Sequence, residues 1–210
     1  MKLFDQEGSL VKFVSLFADV IIVGFLWFLT SLPVITMGAS STAAYFVIMR
    51  RISDREGTIL ADYFLAFKNN FIKSTVVFLI FVVLFSINLI NYLFFEVHGA
   101  LQNVITALQL LVAFELIIIS IHIFPLVARF DMKTVQLIKS AALMANKHLP
   151  TSIVHCLLMG FIVYLSFFIP ILIFSAYGVY CWVSSYMLMR LYKKYRPEID
   201  NSDDDENDNK

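Results

Sequence analysis

The chain has 210 residues, of which 60% are hydrophobic and 15% charged, with a mean hydropathy of +0.80. A soluble domain of this length needs far more polar surface to cover its core, so the composition excludes a water-soluble globule. The formal net charge of zero hides an asymmetry. Glu198, Asp200, Asp203, Asp204, Asp205, Glu206 and Asp208 against Lys210 give residues 198–210 a net of −6, and the rest of the chain carries +6.

Apolar stretches fall at about 13–32, 34–50, 75–95, 104–128, 151–173 and 175–191. Their length suits helices crossing a bilayer at about 1.5 Å per residue. The first run ends in Thr30-Ser31-Leu32-Pro33, not in a small-x-small site, so no cleaved leader is expected. Pro33 fits a tight turn between the first two stretches. The second stretch is short and holds Gly38-Ala39-Ser40-Ser41-Thr42-Ala43-Ala44, so it reads either as a span or as a re-entrant segment.

The distribution of basic residues favours six spans with both ends inside. In that layout the external loops, near 31–34, 96–103 and 173–176, hold no Lys or Arg. All 16 basic residues then face the cytoplasm: Lys2, Lys12, Arg50, Arg51, Arg55, Lys68, Lys73, Arg129, Lys133, Lys139, Lys147, Arg190, Lys193, Lys194, Arg196 and Lys210. A five-span reading puts Lys2 and Lys12 outside.

Two cytoplasmic connections carry helical periodicity. Leu60, Tyr63, Phe64, Phe67 and Phe71 recur within 60–73, and residues 133–148 repeat the pattern with Val135, Ile138, Ala142 and the adjoining Leu149 against Lys133, Lys139 and Lys147. Both predict amphipathic helices at the inner interface, with Phe64, Phe67, Lys68, Phe71, Arg129 and Lys147 as interfacial contacts. The expected fold is therefore an all-α membrane protein, about six transmembrane helices in three hairpins joined by two interfacial helices. A weak internal repeat of hairpin plus interfacial helix accompanies it. Residues 1–197 form the membrane domain, and residues 198–210, with no apolar residue after Ile199, form a disordered acidic cytoplasmic tail.

Polar groups inside apolar stretches each need a reason to be there. Glu115 lies near the middle of the fourth stretch and His122 two turns later on the same face. The two, with Asp19 in the first stretch, form a candidate intramembrane polar site that could bind a cation or relay protons. The competing reading is hydrogen bonds that hold helices together. Asn88 and Asn91, one turn apart, and His155 near a span end read as interhelical or interfacial contacts. Pro33, Gly38, Ala39, Ser40 and Thr42 read as a helix-packing motif. The open N–H groups of a half-helix there would alternatively hold an anion.

Cys156 and Cys181 both sit in apolar segments, which gives no disulfide framework and no zinc spacing. No phosphate loop, zinc-protease or serine-hydrolase motif occurs, so no enzyme, metal or cofactor is expected. The basic groups flank membrane spans and need no nucleic acid to account for them.

Three segments together resemble a known family. Pro33-Val34-Ile35-Thr36-Met37-Gly38-Ala39-Ser40-Ser41-Thr42-Ala43 is similar to the Pro-x-x-T-x-G-A-S-x-T-A core of the YesL family of integral membrane proteins, a domain of unknown function. Asp62–Phe71 resembles that family's aromatic, basic connector, and Phe124–Phe130 with Asn146–Pro150 resembles its second half. The likeness covers roughly residues 1–195. It implies a plasma-membrane protein of Gram-positive bacteria, encoded near carbohydrate-uptake ABC transporters, and hence an auxiliary subunit or partner of their permeases. It transfers no catalytic or ligand residues. The alternative from the residues themselves is an autonomous small-solute or ion transporter using Glu115 and His122.

Overall fold

A computed structural model describes residues 2–53, 55, 57–94 and 100–195. The acidic segment 198–210 and residues 96–99 of the loop expected at 96–103 lie outside the described residues, and the remainder of that loop is the first turn of the fourth α-helix. Among those described, the chain is all helical: α1 (Lys2–Thr30), α2 (Met37–Ile52), α3 (Ile59–Phe94), α4 (Ala100–Arg129), α5 (Thr134–Lys147), α6 (Leu149–Phe168) and α7 (Ala176–Tyr195). Short 3-10 turns at Val34–Thr36 and Pro170–Phe174 precede α2 and α7, each opening at a proline that presets the backbone angle.

Three helices are long and apolar enough to cross a membrane, Ile59–Phe94, Leu101–Arg129 and Leu149–Phe168, and Val14–Thr30 is a shorter apolar helix. Their outward residues are bare hydrocarbon, for example Leu93 (58% exposed), Leu111 (60%) and Leu157 (68%). Water would not tolerate apolar surface on this scale, whereas acyl chains do.

The helix α3 corrects one expectation. The predicted interfacial helix at 60–73 and the predicted span at 75–95 are one uninterrupted helix of 36 residues. Between Ile59 and Phe94 there is no Gly or Pro, and Lys68, Asn69, Asn70 and Lys73 supply polarity without breaking the hydrogen-bond ladder. At about 1.5 Å per residue the helix runs roughly 54 Å, well beyond a bilayer core of about 30 Å. Its packed side is also narrower than predicted: Tyr63 and Ala66 are buried, while Leu60 and Phe64 are about half exposed.

The second expected connector does form a separate helix, α5, but on another face. Leu137, Ala141 and Ala145 are fully buried at i, i+4, i+8, whereas Val135 is exposed. Two alanines on that stripe let α5 lie close along α4, which larger side chains would prevent.

The ambiguous second stretch becomes α2, the centre of the molecule. It packs against α1, α3, α4 and α7, and Gly38–Tyr45 and Val47–Met49 are buried. Sixteen residues give it a length of about 24 Å. It runs opposite to α1, since Thr30 meets Ser40, Trp27 meets Ser41 and Asp19 meets Arg51. Close approach is built on glycine. A Cβ at Gly38 would strike the Ser74 carbonyl and Phe78 of α3, and one at Gly178 would strike the Val20 carbonyl and the Gly24 backbone of α1.

Candidate functional site

The polar side chains of the interior are distributed along helix contacts. Trp27 Nε1 donates to Ser41 Oγ at 3.1 Å, joining α1 to α2. The hydroxyls of Thr42 and Ser74 lie 2.8 Å apart and join α2 to α3. Tyr45 and Ser184 meet at 3.1 Å between α2 and α7, and the Thr30 and Tyr63 hydroxyls at 2.7 Å between α1 and α3. Interhelical hydrogen bonds of this kind are worth about 1 kcal/mol each in a bilayer. The hydroxyls also bond backward within α2, Ser40 to the Thr36 carbonyl and Thr42 to the Gly38 carbonyl, both at 3.0 Å. Pro33 is exposed in the preceding turn, while Gly38, Ala39, Ser40 and Thr42 are buried against neighbours.

The three acidic and imidazole candidates do not converge. Asp19, 8% exposed, forms an ion pair with Arg51 Nε at 3.0 Å between α1 and α2. Glu115 accepts a hydrogen bond from Asn146 Nδ2 of α5 at 3.0 Å on the exposed side of α4. His122, fully buried, meets Ser152 Oγ of α6 at 2.9 Å. Seven residues separate Glu115 from His122, about 10 Å along the helix, and each has its own partner on a different helix.

The structure instead pairs His122 with His155, which is also fully buried, at a ring separation of 6.1 Å. Ser152 Oγ lies 2.9 Å from His122 Nε2, 3.1 Å from the Ala145 carbonyl and 3.4 Å from the His148 carbonyl, so its one hydroxyl proton serves one of three acceptors. His155 Nδ1 lies 2.7 Å from the Thr151 carbonyl and must be the donor there, since a carbonyl only accepts. The second ring nitrogen of His122, Nδ1, is buried without a hydrogen-bond partner. No group of three or more metal-ligating side chains occurs among the described residues.

Sequence reasoning did not find His155, Ser152, Asn146 or Arg51 as partners. One signal was available: Ser152 and His155 stand three residues apart and so share a helix face. Among the predicted interfacial residues, Phe67 and Phe71 pack ring to ring at 5.5 Å, Phe64 is half exposed, Lys68 and Lys147 are exposed, and Arg129 is partly buried at the end of α4. Nearby, Lys73 Nζ lies 2.7 Å from Asp131, and the hydrogen bond and charge of Lys73 hold that carboxyl below its ordinary range.

A cavity of about 540 Å³ lies elsewhere, between α2, α3, α4, α6 and α7, with Trp27 of α1 in its wall. Neither Asp19, Glu115 nor His122 lines it.

Residues 20–92, from the second half of α1 through almost all of α3, match the family model described as Protein of unknown function, DUF624. The match contains the Pro33–Ala43 segment and is consistent with a YesL-like assignment to that family. No curated protein and no solved structure matches the chain.

Proposed function

We propose that this YesL-like chain is a non-catalytic, multi-pass plasma-membrane protein that serves as an auxiliary partner of a carbohydrate-uptake ABC transporter. Its topology in this reading is six spans with both termini cytoplasmic. Opposed running of α1 and α2 and the absence of Lys and Arg from residues 31–34 and 173–176 support that layout.

The observation that carries the reading is the use made of the intramembrane polar residues. Asp19, Glu115 and His122 each bond to a neighbouring helix, and none of them lines the 540 Å³ cavity. Residues so engaged fasten helices, whereas a solute path needs polar groups lining one continuous space. The outer faces of α3, α4 and α6, by contrast, offer long apolar surfaces on which the spans of a permease can pack.

A second reading, autonomous transport of a small solute or ion, draws on one observation, two buried imidazoles at 6.1 Å of which His122 keeps an unpaired nitrogen. Purified protein in liposomes separates the two. The partner reading predicts no solute or proton flux from the protein alone, together with impaired sugar uptake in a deletion strain. Flux that is lost in Glu115→Gln or His122→Gln would establish the transporter instead.

A further inference from the structure

The 540 Å³ cavity has the size of a ligand site but makes no polar demand. Its wall holds Trp27, Tyr45, Phe81, Phe124, Tyr177 and Tyr180 among other apolar side chains, and no charged residue. The polar tips within it are already engaged: Trp27 with Ser41, and Tyr45 with Ser184. None of the buried polar atoms that lack a partner belongs to a lining residue. A sugar, an ion or a peptide would leave its own hydrogen-bonding groups unmet there, at a cost that apolar contact does not offset.

The mouth identifies the side from which an occupant comes. Val82 and Phe85 of α3, Ile117 of α4 and Met159 of α6 line the cavity and are each 36–40% exposed. They belong to the three helices long and apolar enough to span a membrane. Beyond them the surface continues as exposed hydrocarbon, Val83 on α3 and Phe161 on α6. The opening therefore faces the acyl region of the bilayer and not water. From this we infer that the cavity takes the hydrocarbon chain of a membrane lipid, entering laterally between α3, α4 and α6 toward the stacked rings of Trp27 and Tyr177, whose centroids are 4.0 Å apart. This inference is independent of any transporter partner.

Gly160 provides the means to test it. It lines the cavity, and a Cβ built there meets nothing within 4 Å, so a side chain can start from this position into open space. The sequence has two tryptophans, and Trp182→Phe leaves Trp27 as the sole indole reporter. The full chain is reconstituted in phosphatidylcholine vesicles with brominated or plain acyl chains. Bromine is expected to quench Trp27, and Gly160→Phe is expected to reduce that quenching at least twofold at unchanged helicity. Equal quenching with and without Gly160→Phe, or none in the parent, overturns the proposal. Quenching that falls as protein density rises overturns it too, because a second copy would then occupy the cleft. Native mass spectrometry of the otherwise unaltered chain gives a second reading: the parent is expected to retain phospholipid that Gly160→Phe loses, and equal retention counts against the cavity.

Discussion

Replacing Gly178 by alanine tests how closely α1 and α7 are held. The added methyl would strike the Val20 carbonyl and lie 2.8 Å and 2.9 Å from the Gly24 nitrogen and Cα. These are backbone atoms of a packed helix, so no side-chain rotation relieves the contact and the helices must separate. Overpacking of this kind costs about 1–3 kcal/mol. Alanine returns roughly 1 kcal/mol through its better helix propensity. The net expectation for Gly178→Ala is a loss of up to about 2 kcal/mol. Gly160→Ala carries the same propensity gain with no clash, since its Cβ meets open space, and is expected to be neutral or stabilising by up to about 1 kcal/mol. Reversible unfolding from mild detergent into denaturing detergent, followed by circular dichroism, measures both variants on one scale. If Gly178→Ala gains as much stability as Gly160→Ala, the close α1–α7 crossing is wrong.

Three further outcomes are expected. Ser152→Ala removes the hydrogen-bond partner of His122 Nε2 and leaves a buried imidazole nitrogen unpaired, which should cost about 1–3 kcal/mol in the same unfolding assay; Ser31→Ala, on a partly exposed turn, should cost under about 0.5 kcal/mol. Arg51→Met strands the buried Asp19 carboxylate and should destabilise by about 3 kcal/mol, with Asp19→Asn in the same chain recovering much of that loss. The Asp131 carboxyl, held below its ordinary range by Lys73, should keep its ion pair at neutral pH and lose it only as pH falls through a value under 3.8. Carbon-13 NMR of that carboxyl should show its titration move up toward the ordinary value in Lys73→Gln, and an unmoved titration would dismiss the contact.

The helical membrane class was legible because it rests on composition and run length, which no tertiary detail can reverse. The Pro33–Ala43 segment likewise led to the same family as the match over residues 20–92. The continuity of α3 through Phe71–Thr75 is not legible from the change of pattern between the amphipathic 60–73 and the apolar 75–95. Lys73 and Asn70 change which environment a helix passes through but do not stop it, and no Gly or Pro interrupts the hydrogen-bond ladder there. The rotation of α5 escaped notice for a related reason: hydrophobicity ranks Val135 and Ile138 above Ala141 and Ala145, whereas close packing in a membrane selects the small residues. Glu115 and His122 share a helix face, as spacing indicates, yet spacing on one helix says nothing of which neighbour each meets. That depends on α5 and α6 folding back along α4, bringing Asn146 to the first and Ser152 to the second. His155 was undervalued because its partner lies 33 positions earlier in the chain.

The partner reading is tested most directly by capture of the tagged full chain from native membranes in a mild detergent, with quantitative mass spectrometry of what accompanies it. The account predicts enrichment of the permease subunits of a carbohydrate ABC transporter over an unrelated multi-pass protein captured in parallel. It also predicts loss of that enrichment when lipid-facing residues such as Leu157 and Phe161 are changed to bulkier tryptophans. Recovery of the chain with no ABC permease above the control, at an expression level matched to the native one, would contradict it.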